Sequence, residues 1–121
     1  MIAGTYSSDL PRLVLRFRGP SSIRTIECIV DSGFDGHVAL SSVEFFKLGI
    51  TPAGIVFRRL TDGSVVDCRR YRLDVEWGSG WRTVDAIEMG NAGLVGTLMM
   101  SGGTLFVDMI EGGDVIIELP D

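Results

Sequence analysis

Short alternating runs dominate the chain. In Leu13-Val14-Leu15-Arg16-Phe17-Arg18, Leu13, Leu15 and Phe17 fall on one face, which predicts a half-buried strand. After the turn cluster Gly19-Pro20-Ser21-Ser22, the run from Ile23 to Asp31 predicts a second strand. It turns Ile26, Cys28 and Val30 inward, while Ile29 gives its end apolar character on both faces. Gly33 to Gly36 breaks the pattern, and Val38-Ala39-Leu40 predicts a short return strand. One helix follows. Ser41 and Glu44 have capping-box spacing, Phe45 and Leu48 face the core, Lys47 sits in the last turn, and Gly49 suits the C-terminal stop.

Strand character then resumes. Val56 to Leu60 leads into Thr61-Asp62-Gly63-Ser64, where Asp-Gly predicts a type I′ hairpin. On the return arm Tyr71, Leu73, Val75 and Trp77 alternate with charged residues. Val66 and Cys68 are out of step with that face, which predicts a bulge near Arg69. Gly78-Ser79-Gly80 turns the chain into Trp81 to Met89, and Leu94-Val95-Gly96 precedes Thr97 to Met100, read as one or two helical turns. A last hairpin joins Leu105–Ile110 to Asp114–Leu119 around Glu111-Gly112-Gly113. The sum is an all-β domain of eight or nine strands, closed or nearly so, with one clear and one short helix.

Composition narrows what such a domain does. The 121 residues fit a single domain, 1–121, and 45% hydrophobic against 22% charged residues argues for a packed core. Sixteen glycines scattered between apolar runs suit tight turns. A net charge of -5 argues against a nucleic-acid partner and against a basic membrane-binding surface. No apolar run is long enough to span a bilayer, and Met1 to Pro11 lacks the pattern of a signal peptide. With Cys28 and Cys68 the only cysteines, no disulfide framework is expected, and a reducing cytoplasm is the expected location.

The chemistry-bearing candidate is Asp31-Ser32-Gly33, weak as a bare triplet but placed directly after the apolar strand Ile26-Glu27-Cys28-Ile29-Val30. A hairpin at Asp62-Gly63 follows, then Leu94-Val95-Gly96, a short helical stretch and a strand pair. This order resembles the retropepsin-like aspartic proteases, and most closely their small bacterial and archaeal single-domain members. Val30-Asp31-Ser32-Gly33-Phe34-Asp35-Gly36 is similar to their Val-Asp-Thr-Gly-Phe-x-Gly, and the likeness extends from about Leu13 to Leu119. Ser32 replaces the commoner Thr but keeps the hydroxyl. Phe34 stands where retroviral members carry a small residue and would narrow the cleft.

The resemblance implies a closed β-barrel of the acid-protease kind and peptide hydrolysis with no cofactor and no metal. Hydrolysis without metal or covalent nucleophile needs one group to take a proton from water and another to give one to the substrate. Two carboxylates in contact share one proton and supply both. Since the chain carries one such triplet, the resemblance implies a homodimer in which Asp31 of each subunit meets at the two-fold axis. Ser32 would hydrogen-bond across that axis, and Gly33 would let backbone approach the substrate. Asp35 would bind substrate backbone or pair with an arginine, and Asp62-Gly63 would tip a flap closing over the peptide.

The remaining residues carry blander readings. His37, the only histidine, stands in no triad motif, and Cys28 reads as a core residue and Cys68 as partly exposed. Asp108 and Asp114 read as a strand and a turn residue. Arg58-Arg59 and Arg69-Arg70-Tyr71-Arg72 read as solvated faces of the flap arms, with a preference for acidic peptide side chains as the alternative. The competing functions are a catalytically inactive module of the same fold, for dimerisation or peptide binding, and a small-ligand β-barrel carrier.

Overall fold

A computed structural model of the chain describes residues 1–120. Among the described residues there are ten strands and one helix. They run β1 (Ile2–Ser7), β2 (Leu10–Arg18), β3 (Ile23–Val30), β4 (Val38–Leu40), α1 (Ser42–Leu48), β5 (Gly54–Arg59), β6 (Val65–Trp77), β7 (Gly80–Glu88), β8 (Gly93–Val95), β9 (Thr104–Val107) and β10 (Asp114–Glu118). All ten join one sheet in the order β5-β6-β7-β4-β8-β3-β2-β1-β10-β9. β2 also meets β6, through Phe17 opposite Val75 and Arg18 opposite Asp74. That pairing bends the sheet into a six-stranded ring, an uneven one because β2 and β6 share only these two residue pairs.

The alternation of β2 is what fills the ring. Leu13, Leu15 and Phe17 are buried, while Val14 on the other face is exposed. Cys28 and Val30 of β3, Leu73, Val75 and Trp77 of β6, and Val115 and Ile117 of β10 complete the same core. Phe17 is fully buried at the seam where β2 meets β6. Phe17→Ala is expected to cost about 3–5 kcal/mol in a urea-denaturation measurement, the usual loss for a large buried ring.

α1 plugs the core through Phe45 and Leu48, and Phe45 stacks on Tyr71 with ring centroids 3.7 Å apart. Gly49 ends the helix at φ 76, and its N–H reaches the Phe46 carbonyl at 3.0 Å. The capping box does not form. Ser41 makes no side-chain cap bond, and the Glu44 carboxylate turns instead to Arg24 on β3, 2.7 Å from its Nε. A charge-assisted bond to a guanidinium outweighs one to a lone backbone N–H.

Several expectations from the pattern are corrected. The first strand, β1, was not anticipated; it joins β2 through Ser8 (φ 51) and Asp9 (φ 63), so the type I′ turn lies here, between Ser7 and Leu10. No bulge interrupts β6: its registers with β5 and β7 run unbroken through Arg69 and Arg70. Cys68 is out of step because it faces a second, smaller core with Phe34, Ala39 and Ile87, and it is buried and not partly exposed. The second helix is absent among the described residues. Thr97 to Gly102 forms hydrogen-bonded turns, closed by Ser101 N–H to Leu98 O (3.4 Å) and Gly103 N–H to Met100 O (3.0 Å).

Candidate active site

β8 lies between β3, which it parallels (Val30 opposite Val95), and β4, which it opposes (Val38 opposite Val95). The chain leaving β3 must therefore cross the end of β8 to reach β4, and residues 31–37 form that arch. Its two feet are tied to β8: Asp31 N–H donates to Val95 O at 2.9 Å, and Gly96 N–H donates to His37 O at 3.0 Å. The crown is held by Thr97 N–H to Phe34 O (2.8 Å) and Leu98 N–H to Gly36 O (3.2 Å). Inside the arch the Asp31 carboxylate accepts the Gly33 N–H at 2.9 Å, which fixes its orientation. The bonds from the arch to Val95, Gly96, Thr97 and Leu98 depend on β8 being threaded between β3 and β4, so the position of Asp31 is a product of topology as much as of local sequence.

Phe34 points down from the arch into the second core and is buried. Its ring leaves no room for side chains nearby: a Cβ on Gly36 would stand 2.6 Å from Phe34 Cζ, and one on Gly96 2.7 Å from Phe34 Cδ2. The ring thus anchors the loop from below.

Ser32 and Gly33 lie exposed beside Asp31, and a Cβ on Gly33 would come within 3.3 Å of the Asp31 carboxylate. Asp35 points outward, 82% exposed, and pairs with Arg58 of β5 at 2.8 Å. Asp31, Ser32, Gly33 and Asp35 therefore form one cluster. Asp62 and Gly63 stand apart at the end of the β5–β6 hairpin, and among the described residues no hydrogen bond or ion pair joins them to the arch. The flap meets the site loop along its arm, through Arg58 and Val56.

The flap tip is not a type I′ turn. Gly63 N–H reaches Leu60 O at 3.0 Å, Leu60 N–H reaches Ser64 O at 2.8 Å, and only Gly63 has positive φ (88). Asp62 instead accepts both the N–H (2.9 Å) and the hydroxyl (2.6 Å) of Ser64. The Ser64 hydroxyl, followed by its N–H, holds the Asp62 carboxyl below its ordinary pKa. In Ser64→Ala that carboxyl should rise toward the ordinary carboxylate range, read by an NMR pH titration. The arms of this hairpin expose Ile55, Phe57 and Val65.

Cys28 is fully buried, and its thiol is pushed up to about 12, chiefly by burial, which leaves it inert as a nucleophile. His37 lines a cavity beneath the flap arm, and burial, followed by the charge of Arg82, holds its pKa below the usual value. Sequence reasoning placed Arg58 in a solvated cluster and missed its contact with the loop. Local sequence carries no signal for it: Ile55 and Phe57 are the large apolar residues of β5, yet they are exposed, while Gly54, Val56 and Arg58 share the half-buried face.

The arch over β8, the hairpin flap and the surrounding sheet define a retropepsin-like fold. The chain is similar over 98% of its length, and over 89% of the other chain, to the crystal structure of a retropepsin-like aspartic protease from Rickettsia conorii. The TM-score is 0.61 at 16% sequence identity, a likeness of fold. No protein-family model matches the chain, and no curated protein matches it in sequence. Among the described residues no helix is long and apolar enough to cross a membrane.

Proposed function

We propose that the chain is an aspartic endopeptidase subunit that acts as a cytoplasmic homodimer, with Asp31 as its catalytic residue. The observation that carries this reading is the arch itself: a carboxylate oriented by the Gly33 N–H and braced against β8 in a retropepsin-like fold. The chain has one such loop, and the chemistry asks for two carboxylates, so a second copy supplies the other.

In the pair, one carboxylate is ionised and the other protonated, the arrangement known for aspartic-protease dyads. The ionised group takes a proton from water, and the water oxygen adds to the peptide carbonyl carbon. The protonated group gives its proton to the carbonyl oxygen, which yields a neutral gem-diol. The first carboxylate, now protonated, gives its proton to the amide nitrogen while the second takes one from a gem-diol hydroxyl; the C–N bond breaks, and acid and amine depart. The two carboxylates are equivalent by the two-fold symmetry, so neither Asp31 is permanently the acid. Ser32 braces the two loops across the axis, Gly33 and Asp35 line the path of the substrate backbone, and the Asp62-Gly63 flap closes over it.

The test compares wild type and Asp31→Asn on a mixed peptide library, with solution mass measured alongside. Cleavage by wild type alone, at a mass near twice 13.1 kDa, supports the reading. Equal cleavage by the variant removes Asp31 from the mechanism. Absence of cleavage by both, from acid to neutral pH, supports a binding module of the same fold.

A further inference from the structure

Under the flap arm, beside the arch, lies a cavity of about 210 Å³. Phe34 walls it on the loop side, Val38 on β4, Val56 on the flap and Ile87 on β7. Its polar groups are Arg58, Arg70, Asp85 and His37. The structure separates the arginines that the sequence presents as two runs: Arg59 turns back to Gly63 O at the flap tip, and Arg69 lies 3.8 Å from Glu88. Arg72 shares Asp85 with Arg70 from outside the cavity.

Resting on the protease reading above, we propose that this cavity is a subsite for an acidic peptide side chain, glutamate by its reach, and that Arg58 selects it. Arg70 is already engaged, donating to Asp85 Oδ1 and to Ala53 O, each at 3.2 Å. Asp85 is likewise spent, accepting from Arg70 and Arg72. Arg58 is different. Among the described residues its one ion-pair partner is Asp35, whose side chain is 82% exposed, while that of Arg58 is only 27% exposed.

An exposed carboxylate is easily exchanged, because water replaces what it loses. A substrate carboxylate arriving through the apolar walls meets the same guanidinium from its more sheltered side. The guanidinium also rests 5.1 Å from the Phe34 ring centroid, which holds it at the cavity. A lysine would meet two guanidiniums and a carboxylate that two arginines already neutralise. A glutamate has the aliphatic stem to cross Phe34 and Val56 and the charge to end on Arg58; aspartate is shorter by one methylene.

The experiment uses peptides identical except for Glu, Gln or Lys at one position, scanned across the cleavage site. The enzymes are wild type, Arg58→Met, Arg58→Glu and Asp35→Asn. Wild type should favour Glu over Gln by about tenfold in kcat/KM. The ratio should fall to about one in Arg58→Met, invert toward Lys in Arg58→Glu, and rise in Asp35→Asn, where Arg58 loses its resident partner. Asp35→Asn guards against a merely structural effect, since general damage would not raise the ratio. Cleavage with equal Glu and Gln rates, or ratios unmoved in Arg58→Glu, overturns this inference and leaves the protease reading intact. If wild type cleaves nothing, the protease reading fails, and the same ratios are read as peptide affinities by calorimetry; no Glu preference there overturns the subsite as well.

Discussion

At a fixed total subunit concentration, replacing half of the wild-type subunits by Asp31→Asn should leave about a quarter of the cleavage activity, and not half, because only pairs with two carboxylates work. The pure variant should lose activity by a factor on the order of 10^3, the weight of an acid–base pair reduced to a group that can neither accept nor release the proton. The substitution is mild for the fold. The Asn side-chain oxygen can still accept the Gly33 N–H that Asp31 Oδ1 now accepts at 2.9 Å, so the urea midpoint should move little. Exchange is secured by diluting the mixed subunits and reconcentrating them, with differently tagged chains verified by mass spectrometry. Activity that falls in direct proportion to the Asn fraction would place a complete site within one chain. That outcome would end the two-subunit mechanism.

What the sequence made legible was governed by side-chain periodicity. Leu13, Leu15 and Phe17 announce β2 because every second residue is large and apolar, and all three are buried. β1 escaped the same reading because one of its inward positions is Gly4, which gives no hydrophobic signal. A Cβ there would run into Arg12 O and lie 2.8 Å from a Leu13 methyl, so close approach of β2 demands the glycine that hides the strand. Cys68 and Tyr71 misled in the opposite way. Val66 and Cys68 stand out of step with the Tyr71 face and suggest a bulge, whereas a strand buried on opposite faces along its length, against two cores, produces the same pattern without one. At the site, the strand delivering Asp31 was readable from Ile26 to Val30. The contact between Arg58 and Asp35 was not, because it joins residues on elements whose approach is set by the sheet order β5-β6-β7-β4-β8-β3 and not by local sequence.

Gly96→Ala should destabilise the protein by more than about 3 kcal/mol or dislodge the site loop, with loss of cleavage in either case. Gly96 sits at the foot of the arch with ordinary backbone φ, so conformational freedom is not the reason. Space is. An added Cβ would collide with Gly36 O and would stand 2.7 Å from both Phe34 O and Phe34 Cδ2. Two of those three atoms are backbone of the arch, and the third belongs to a ring locked among Ala39, Cys68 and Ile87. None can retreat without releasing the Thr97 N–H to Phe34 O bond or the Leu98 N–H to Gly36 O bond that holds the crown. Overpacking at a rigid contact has no cheap relaxation. Gly80→Ala is the matched control: nothing lies within 4 Å of its added Cβ, and stability should stay within about 0.5 kcal/mol of wild type. A urea series on the two variants reads the difference. If Gly96→Ala matched Gly80→Ala in stability and in cleavage, the arch would not be the rigid mount that orients Asp31, and the orientation of that carboxylate would have to arise elsewhere.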